Sequence, residues 1–287
     1  WPRDRWYEAP IMHGNSTKST CPSKSRPLGT GRIDENHPAG GTLKYLIFSD
    51  IHSNLEAFET MLEHPAARKA SRFLFLGDLV GYGPNPNEVI SRFRKLDVSR
   101  QVRGNHDKVV ADLESSSLFN PVAAFSAEWS KIQVNEDNQA YLKSLPKGPA
   151  VVERFITLCH GSTFDEDYYV FSNFEAAESF KFMETAIGFF GHTHFPIMYL
   201  MRNEKIQSIP LNEKCRVRLD PNTRYLINPG SIGQPRDKNP MPSFVLFDAN
   251  KREIQFIRFS YDFKKTQKKI RGAGLPEILA SRIESGI

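Results

Sequence analysis

Short apolar or nearly apolar runs punctuate the first two-thirds of the chain, at Leu43–Phe48, Phe73–Leu76, Phe155–Leu158 and Ile187–Phe190. Runs this short, without polar alternation, are the sequence form of strands buried on both faces. Amphipathic segments lie between them. Ser53-Asn54-Leu55-Glu56 reads as a capping box, followed by Leu55, Phe58 and Leu62 at helical spacing. Asn85-Pro86-Asn87-Glu88 opens a second helix, with Pro86 suited to its first turn and Val89, Ile90, Phe93 and Leu96 forming its apolar stripe. A further strand is expected at Arg100–Arg103. Strand and helix alternate as in βαβ units. Beyond His194 the pattern changes to strands and turns, through Arg224–Ile227, Ser243–Phe247 and Glu253–Phe259. The expectation is an α/β front half and a β-rich back half in one domain over residues 42–260, without internal repeats. Residues 261–287 read as a basic helical tail, packed on that domain or extending it. Residues 1–41, rich in Pro, Gly, Ser and Thr and without period, read as a disordered leader.

Composition narrows the class. With 287 residues, 25% charged and 39% hydrophobic, the chain has an ordinary globular make-up. No apolar run approaches the roughly 20 residues that span a bilayer. The first forty residues hold no apolar core of signal-peptide length, and Asp4, Glu8, Asp34 and Glu35 weigh against a transit peptide. The three cysteines, Cys21, Cys159 and Cys215, are widely spaced and form no Cys-x-x-Cys pair, which argues against a disulfide framework or a thiolate zinc site. A cytoplasmic protein without a membrane partner is expected. Cys159, inside an apolar run, reads as a buried thiol. The net charge of +5 divides into +2 on residues 1–41 and +3 on residues 261–287. The body between them is neutral, so nucleic acid is not expected as the primary partner.

The informative feature is where the polar residues fall relative to the strands. The first strand runs into Asp50-Ile51-His52, whose i, i+2 spacing on extended backbone puts both side chains on one side. The others run into Gly77-Asp78, Gly104-Asn105-His106-Asp107, His160-Gly161 and Gly191-His192-Thr193-His194. Five strand ends thus deliver seven candidate metal ligands, Asp50, His52, Asp78, Asn105, His160, His192 and His194, to the carboxyl edge where open α/β sheets bind ligands. Each piece alone arises often by chance; five in order do not. Glycine before Asp78, Asn105 and His192 lets the backbone turn sharply and approach a bound group. Tyr82, between Gly81 and Gly83, reads as a turn residue or cleft wall, and His64, before Pro65, as a solvent-facing helix residue.

Taken together, Asp-x-His, Gly-Asp, Gly-Asn-His-Asp, a lone His and Gly-His-x-His resemble the signature of the calcineurin-like metallophosphoesterases, over roughly residues 43–285. Gly77-Asp78-Leu79-Val80-Gly81-Tyr82-Gly83-Pro84, Asn228-Pro229-Gly230-Ser231, Gln234-Pro235-Arg236-Asp237 and Gly274-Leu275-Pro276-Glu277 are similar to the small prokaryotic phosphodiesterase branch. The resemblance implies a four-layer α/β/β/α sandwich of two mixed sheets with metals at one end. It implies two divalent ions, one on Asp50, His52, Asp78 and His194, the other on Asp78, Asn105, His160 and His192, with Asp78 and a hydroxide bridging. Such a pair lowers the pKa of the bridging water and clamps an in-line displacement at phosphorus. With carboxylate, imidazole and amide ligands and no thiolate, Mn, Fe, Zn, Ni and Co are admissible, with Mn placed first.

Outside the metal shell, His106 is expected to contact the phosphoryl group or protonate the leaving oxygen. Asp107 is expected to orient His106 or to cap the segment that follows. Asn54, beside the first helix start, and Arg236 are candidate phosphate contacts. The expected activity is hydrolysis of phosphate esters, chiefly phosphodiesters of small nucleotide-like molecules. One alternative is a protein Ser/Thr or other phosphomonoester phosphatase, but in the Ser/Thr branch the Gly-Asp block continues to Asp-Arg-Gly, where this chain has Gly81-Tyr82-Gly83. The other is a non-catalytic protein-binding scaffold on the same fold, in which the loop histidine is lost; His106 is present.

Overall fold

The computed structural model describes residues 43–212 and 215–287, so the expected leader lies outside the described residues. In chain order the elements are β1 (Lys44–Phe48), α1 (Leu55–Glu63), β2 (Arg72–Phe75), α2 (Pro86–Phe93), β3 (Val98–Gln101), α3 (Asn105–Val110), α4 (Pro121–Gln133), α5 (Glu136–Ser144), β4 (Ala150–Val152) and β5 (Ile156–Leu158). They continue as α6 (Asn173–Phe182), β6 (Ile187–Phe189), β7 (Ile197–Arg202), β8 (Lys205–Pro210), β9 (Arg216–Arg218), β10 (Arg224–Asn228), β11 (Ser243–Asp248), β12 (Glu253–Arg258), α7 (Phe263–Gly272) and α8 (Glu277–Ser285).

These strands make two six-stranded mixed sheets, one in the order β3-β2-β1-β11-β12-β9, the other β4-β5-β6-β10-β7-β8. In the first, β1, β2 and β3 are parallel and β11 runs antiparallel to β1; in the second, β5, β6 and β10 are parallel. Alternate residues of a strand point to opposite faces, which explains the unbroken apolar runs. Tyr45 and Ile47 of β1 enter the core between the sheets with Leu74, Phe189, Ile227 and Phe247. Leu46 and Phe48 face outward onto Phe58, Val89, Ile90 and Phe93 of α1 and α2. On the outer face of the second sheet, Phe180 of α6 packs with Phe190, Tyr199 and Leu226. The order helix, sheet, sheet, helix is the expected four-layer sandwich.

Three local expectations need correction. The cap of α1 is Asn54, one residue later than the capping-box reading, because its side chain accepts from Ala57 N. Glu56 turns instead toward α7, where it meets Lys269 at 2.5 Å and Thr266 at 3.1 Å. β3 begins two residues earlier than expected, and Arg103 lies outside it, bound through its backbone to Pro146. His64 closes α1 and packs its ring edge-on to Phe244, with centroids 5.6 Å apart, rather than facing solvent.

The basic C-terminal segment carries core. Its lysines alternate with a buried stripe, and Ile270, Leu279, Ala280 and Ile283 pack with Tyr82 and Ala123 in one apolar cluster. Leu279→Ala is therefore expected to cost about 2–5 kcal/mol of stability, as for a large-to-small core change. Denaturant unfolding checks this, since a helix attached only at the surface would lose less than about 0.5 kcal/mol.

Candidate metal centre

The carboxyl ends of β1, β2, β3, β5 and β6 meet at one rim, and backbone bonds fasten the loops that leave them. Asp50 N donates to Gly77 O, His52 N to Asp78 O and Gly191 N to His160 O. Five of the seven expected ligands, Asp50, His52, Asp78, His192 and His194, adopt left-handed backbone, with φ of 55°, 47°, 60°, 65° and 56°. Such conformations cost of order 1–3 kcal/mol each in non-glycine residues, and the surrounding structure must overdetermine them. Gly104 shows how: a Cβ there would collide with the Asp78 carboxylate.

The seven side chains come together in two groups that share Asp78. Asp50, His52, Asp78 and His194 form one cluster of candidate ligand atoms; Asp78, His160 and His192 form the other. Asn105 joins the second group, its Oδ1 lying 3.1 Å from His160 Nε2. A single oxygen, Asp78 Oδ2, lies 3.5 Å from His52 Nε2 and 3.4 Å from His160 Nε2. Its partner oxygen Oδ1 accepts the His106 backbone N–H at 2.9 Å.

Tautomers decide what these groups can hold. His52 Nδ1 donates to Val80 O, His194 Nδ1 to Gln234 O, His160 Nδ1 to Leu76 O and His192 Nε2 to Asp167 O, at 2.6–3.0 Å. Each imidazole thus spends its proton on a carbonyl, and in the neutral ring the inner nitrogen carries a lone pair. Those inner nitrogens face each other, His52 Nε2 and His194 Nε2 at 3.0 Å, His160 Nε2 and His192 Nδ1 at 3.1 Å. Both oxygens of Asp50 are buried with no hydrogen-bond donor. Converging lone pairs and an orphaned carboxylate repel one another unless a cation lies between them, so this donor set fits divalent metal ions, with carbonyls behind the imidazoles setting their tautomers. Burial holds His52 and His192 well below the ordinary imidazole range, reinforced by neighbouring imidazoles. In His160, burial is outweighed by attraction to Asp78 and Asp50, which pushes the ring up to about 10, so without a metal ion a proton takes the inner position and supplies the cation this site calls for.

His106 sits beside the two groups, 3% exposed, with its ring 5.0 Å from His52, 4.5 Å from Tyr82 and 4.6 Å from Phe119. Burial pushes it down to about 4, with Arg236 and nearby imidazoles adding to the effect and Asp78 opposing it. Gly81, at φ +90°, leaves room for this ring, because a Cβ there would strike Nδ1. Gly81→Ala is therefore expected to displace His106 and lower turnover while metal content stays; elemental analysis alongside rate measurement separates the two effects.

The remaining candidates divide. Asp107 does not reach the His106 ring. Its carboxylate accepts from Gly104 N, Asp78 N, Leu79 N and Val80 N, so it caps α3 and clamps the Gly77-Asp78 loop. Asn54 is engaged within the fold: its amide donates to Gly233 O and the Tyr261 hydroxyl, both at 3.0 Å, and its oxygen caps α1. Arg236 stands at the rim, its guanidinium on Gln234 Oε1 and 5.5 Å from the Tyr82 ring centroid, with no carboxylate paired to it among the described residues. Tyr82 is thus a wall of the site. Asn228 braces the last metal loop through Gly191 O and Thr193 Oγ1. Two features escaped the sequence reading: the Asp167 carbonyl behind His192, and Tyr169, stacked on the His192 ring with centroids 3.8 Å apart. The signal was present in the aromatic-rich stretch after His160, but nothing in its spacing ties it to a strand end.

A sandwich of two mixed sheets with acidic and imidazole ligands gathered at one rim defines a metallophosphoesterase. Over residues 43–252 the chain matches the calcineurin-like phosphoesterase superfamily domain, and it belongs to that family. It is 36% identical over 247 residues to an uncharacterized protein of Methanocaldococcus jannaschii, covering 84% of this chain and 97% of that one. Its fold is similar to that of a metallophosphoesterase from Sphaerobacter thermophilus, at 34% identity and a TM-score of 0.75, covering 86% of this chain and all of the other. A hypothetical protein from Pyrococcus horikoshii shares the fold at 19% identity and a TM-score of 0.68, over 85% of this chain and 99% of the other.

Proposed function

We propose that the protein is a metal-dependent phosphoester hydrolase acting on phosphodiesters of small nucleotide-like molecules. The observation that carries this reading is the pair of imidazole lone-pair sets closing on one shared oxygen of Asp78, with His106 and Arg236 beside them. Two divalent ions held by Asp50, His52, Asp78 and His194 and by Asp78, Asn105, His160 and His192 would supply Lewis acidity and a nucleophile at neutral pH. The chain does the rest. Arg236 offers one positive charge to the phosphoryl oxygens, its other donors being turned to Gln234. His106, beside the two ligand groups and held in place by Tyr82, Phe119 and Gly81, would contact the phosphoryl group or protonate the leaving oxygen.

The diester preference rests on charge. A phosphodiester carries about one negative charge at neutral pH and a monoester nearly two. A single arginine, with Gly81-Tyr82-Gly83 in place of a second one, suits the former. No described helix is long and apolar enough to cross a membrane, and a cytoplasmic setting with small-molecule phosphate esters as partners accords with this reading. The test is a panel of metals, Mn first, against bis-p-nitrophenyl phosphate, p-nitrophenyl phosphate and dinucleoside polyphosphates. Metal-dependent turnover with the diester hydrolysed faster than the monoester is expected. Absence of turnover with every metal would favour the non-catalytic scaffold, and monoester preference would favour a phosphatase.

A further inference from the structure

The loop following His160 displays aromatic rings to solvent at the edge of the site. Tyr169 is 43% exposed and Phe171 is 62% exposed, although large aromatic side chains are ordinarily among the most buried. Their exposure is built in. Val170 between them is 1% exposed and packs with Phe180 and Phe190. Its burial anchors the segment and leaves the rings on either side of it outside. The two outward rings lie nearly parallel, 10° apart with centroids at 5.3 Å, and Tyr169 lies in turn at 21° on His192. Phe171, Tyr169 and His192 thus form a stack leading from solvent to a candidate metal ligand.

The loop is also pinned. Lys108, 4% exposed on α3 directly after His106 and Asp107, meets Asp167 at 2.5 Å, Glu114 at 2.8 Å and Glu166 at 3.3 Å. Arg103 takes Glu166 through two parallel hydrogen bonds. A fixed loop binds without the ordering cost a mobile one would incur. Because Tyr169 lies on the His192 ring, a phosphoryl group bound at the two ligand groups would have the aromatic stack at its edge.

We infer that Tyr169 and Phe171 form a stacking subsite for a planar ring carried by the phosphoester substrate, with a nucleobase as the matching chemistry. The inference deepens the phosphoesterase reading and rests on it. Planar bases stack on aromatic side chains through their faces, so the subsite selects for a ring without demanding a particular base. Its area adjoins the metal groups, which separates it from an apolar patch for a protein partner elsewhere on the surface.

The experiment compares adenosine 5′-monophosphate with ribose 5-phosphate, binding to the metal-loaded protein by calorimetry, and compares turnover of diesters with and without a planar substituent. Wild type is expected to prefer the planar member of each pair by roughly 5- to 100-fold, the range that stacking supplies. In Phe171→Ala and Tyr169→Ala this ratio should fall toward one, while Tyr169→Phe, which keeps the ring, should retain it. Equal binding of the two phosphates by wild type, or a ratio that survives in both alanine variants, overturns the subsite. If no diester is turned over with any metal but the binding ratio behaves as expected, the hydrolase reading fails and the subsite stands. If Phe171→Ala leaves the ratio intact and instead dissociates an oligomer, the aromatic face is a protein contact and the inference is wrong.

Discussion

Asp78→Asn is expected to lower both metal content and turnover more than loss of any single terminal ligand. The shared oxygen Oδ2 stands between the two imidazole groups, and Oδ1 is held by the His106 backbone N–H. Replacing one oxygen by an amide leaves the side chain able to bond on one side only, and it removes one of two carboxylates among the seven ligands. Loss of a partner that merely orients a metal ligand typically costs about 10–100-fold in metal affinity or activity. Removing a ligand common to two ions should exceed that range. Elemental analysis of the variant, with turnover measured on the same sample, checks the result. The fold should persist, because Asp107 fastens the Asp78 loop through backbone amides that the substitution leaves in place.

His106→Ala is expected to separate chemistry from metal binding. The ring touches His52, Tyr82 and Phe119 but is not in either ligand group, so metal occupancy should survive. Turnover of esters with poor leaving groups should fall by about 10²–10⁴-fold, the usual contribution of a positioned acid or base. In the free protein the ring is neutral at neutral pH, since burial holds it down to about 4. Negative charge on an arriving phosphate would favour the imidazolium and so load the proton where it is needed. A nitrophenolate departs without a proton, so the loss should shrink as leaving-group pKa falls. A uniform loss across leaving groups would assign His106 to stabilising the phosphoryl oxygens instead. Loss of a metal ion would redraw the ligand set around Asn105.

Much of this architecture is legible in the chain because burial on two faces leaves a distinctive mark. β1 reads as an unbroken apolar run since Tyr45 and Ile47 serve one core while Leu46 and Phe48 serve another. The site reads through its glycines and through the order of its polar pairs. What did not read clearly were elements set by tertiary contact. Ser53 looks as good a cap as Asn54 until Tyr261, Gly233 and Thr266 claim Asn54 and fix it in place. The lysines of α7 left open whether the tail packs on the domain or extends it; Thr266, Gln267 and Ile270, buried on its other side, show that it packs. The left-handed backbone at five ligands is marked only weakly by residue type, since Asp and His visit that region more often than other non-glycine residues, and the neighbouring glycines hinted at sharp turns. Tyr169 meets His192 from a loop that follows a different strand, a contact no local pattern encodes.

Stoichiometric titration of metal-free protein with Mn(II), followed by calorimetry and checked by elemental analysis, tests the shared-ligand centre most directly. Two ions per chain are expected for wild type, with both affinities weakened together in Asp78→Asn. Binding of one ion or none by wild type, or two unchanged ions in the variant, would contradict a centre built around Asp78.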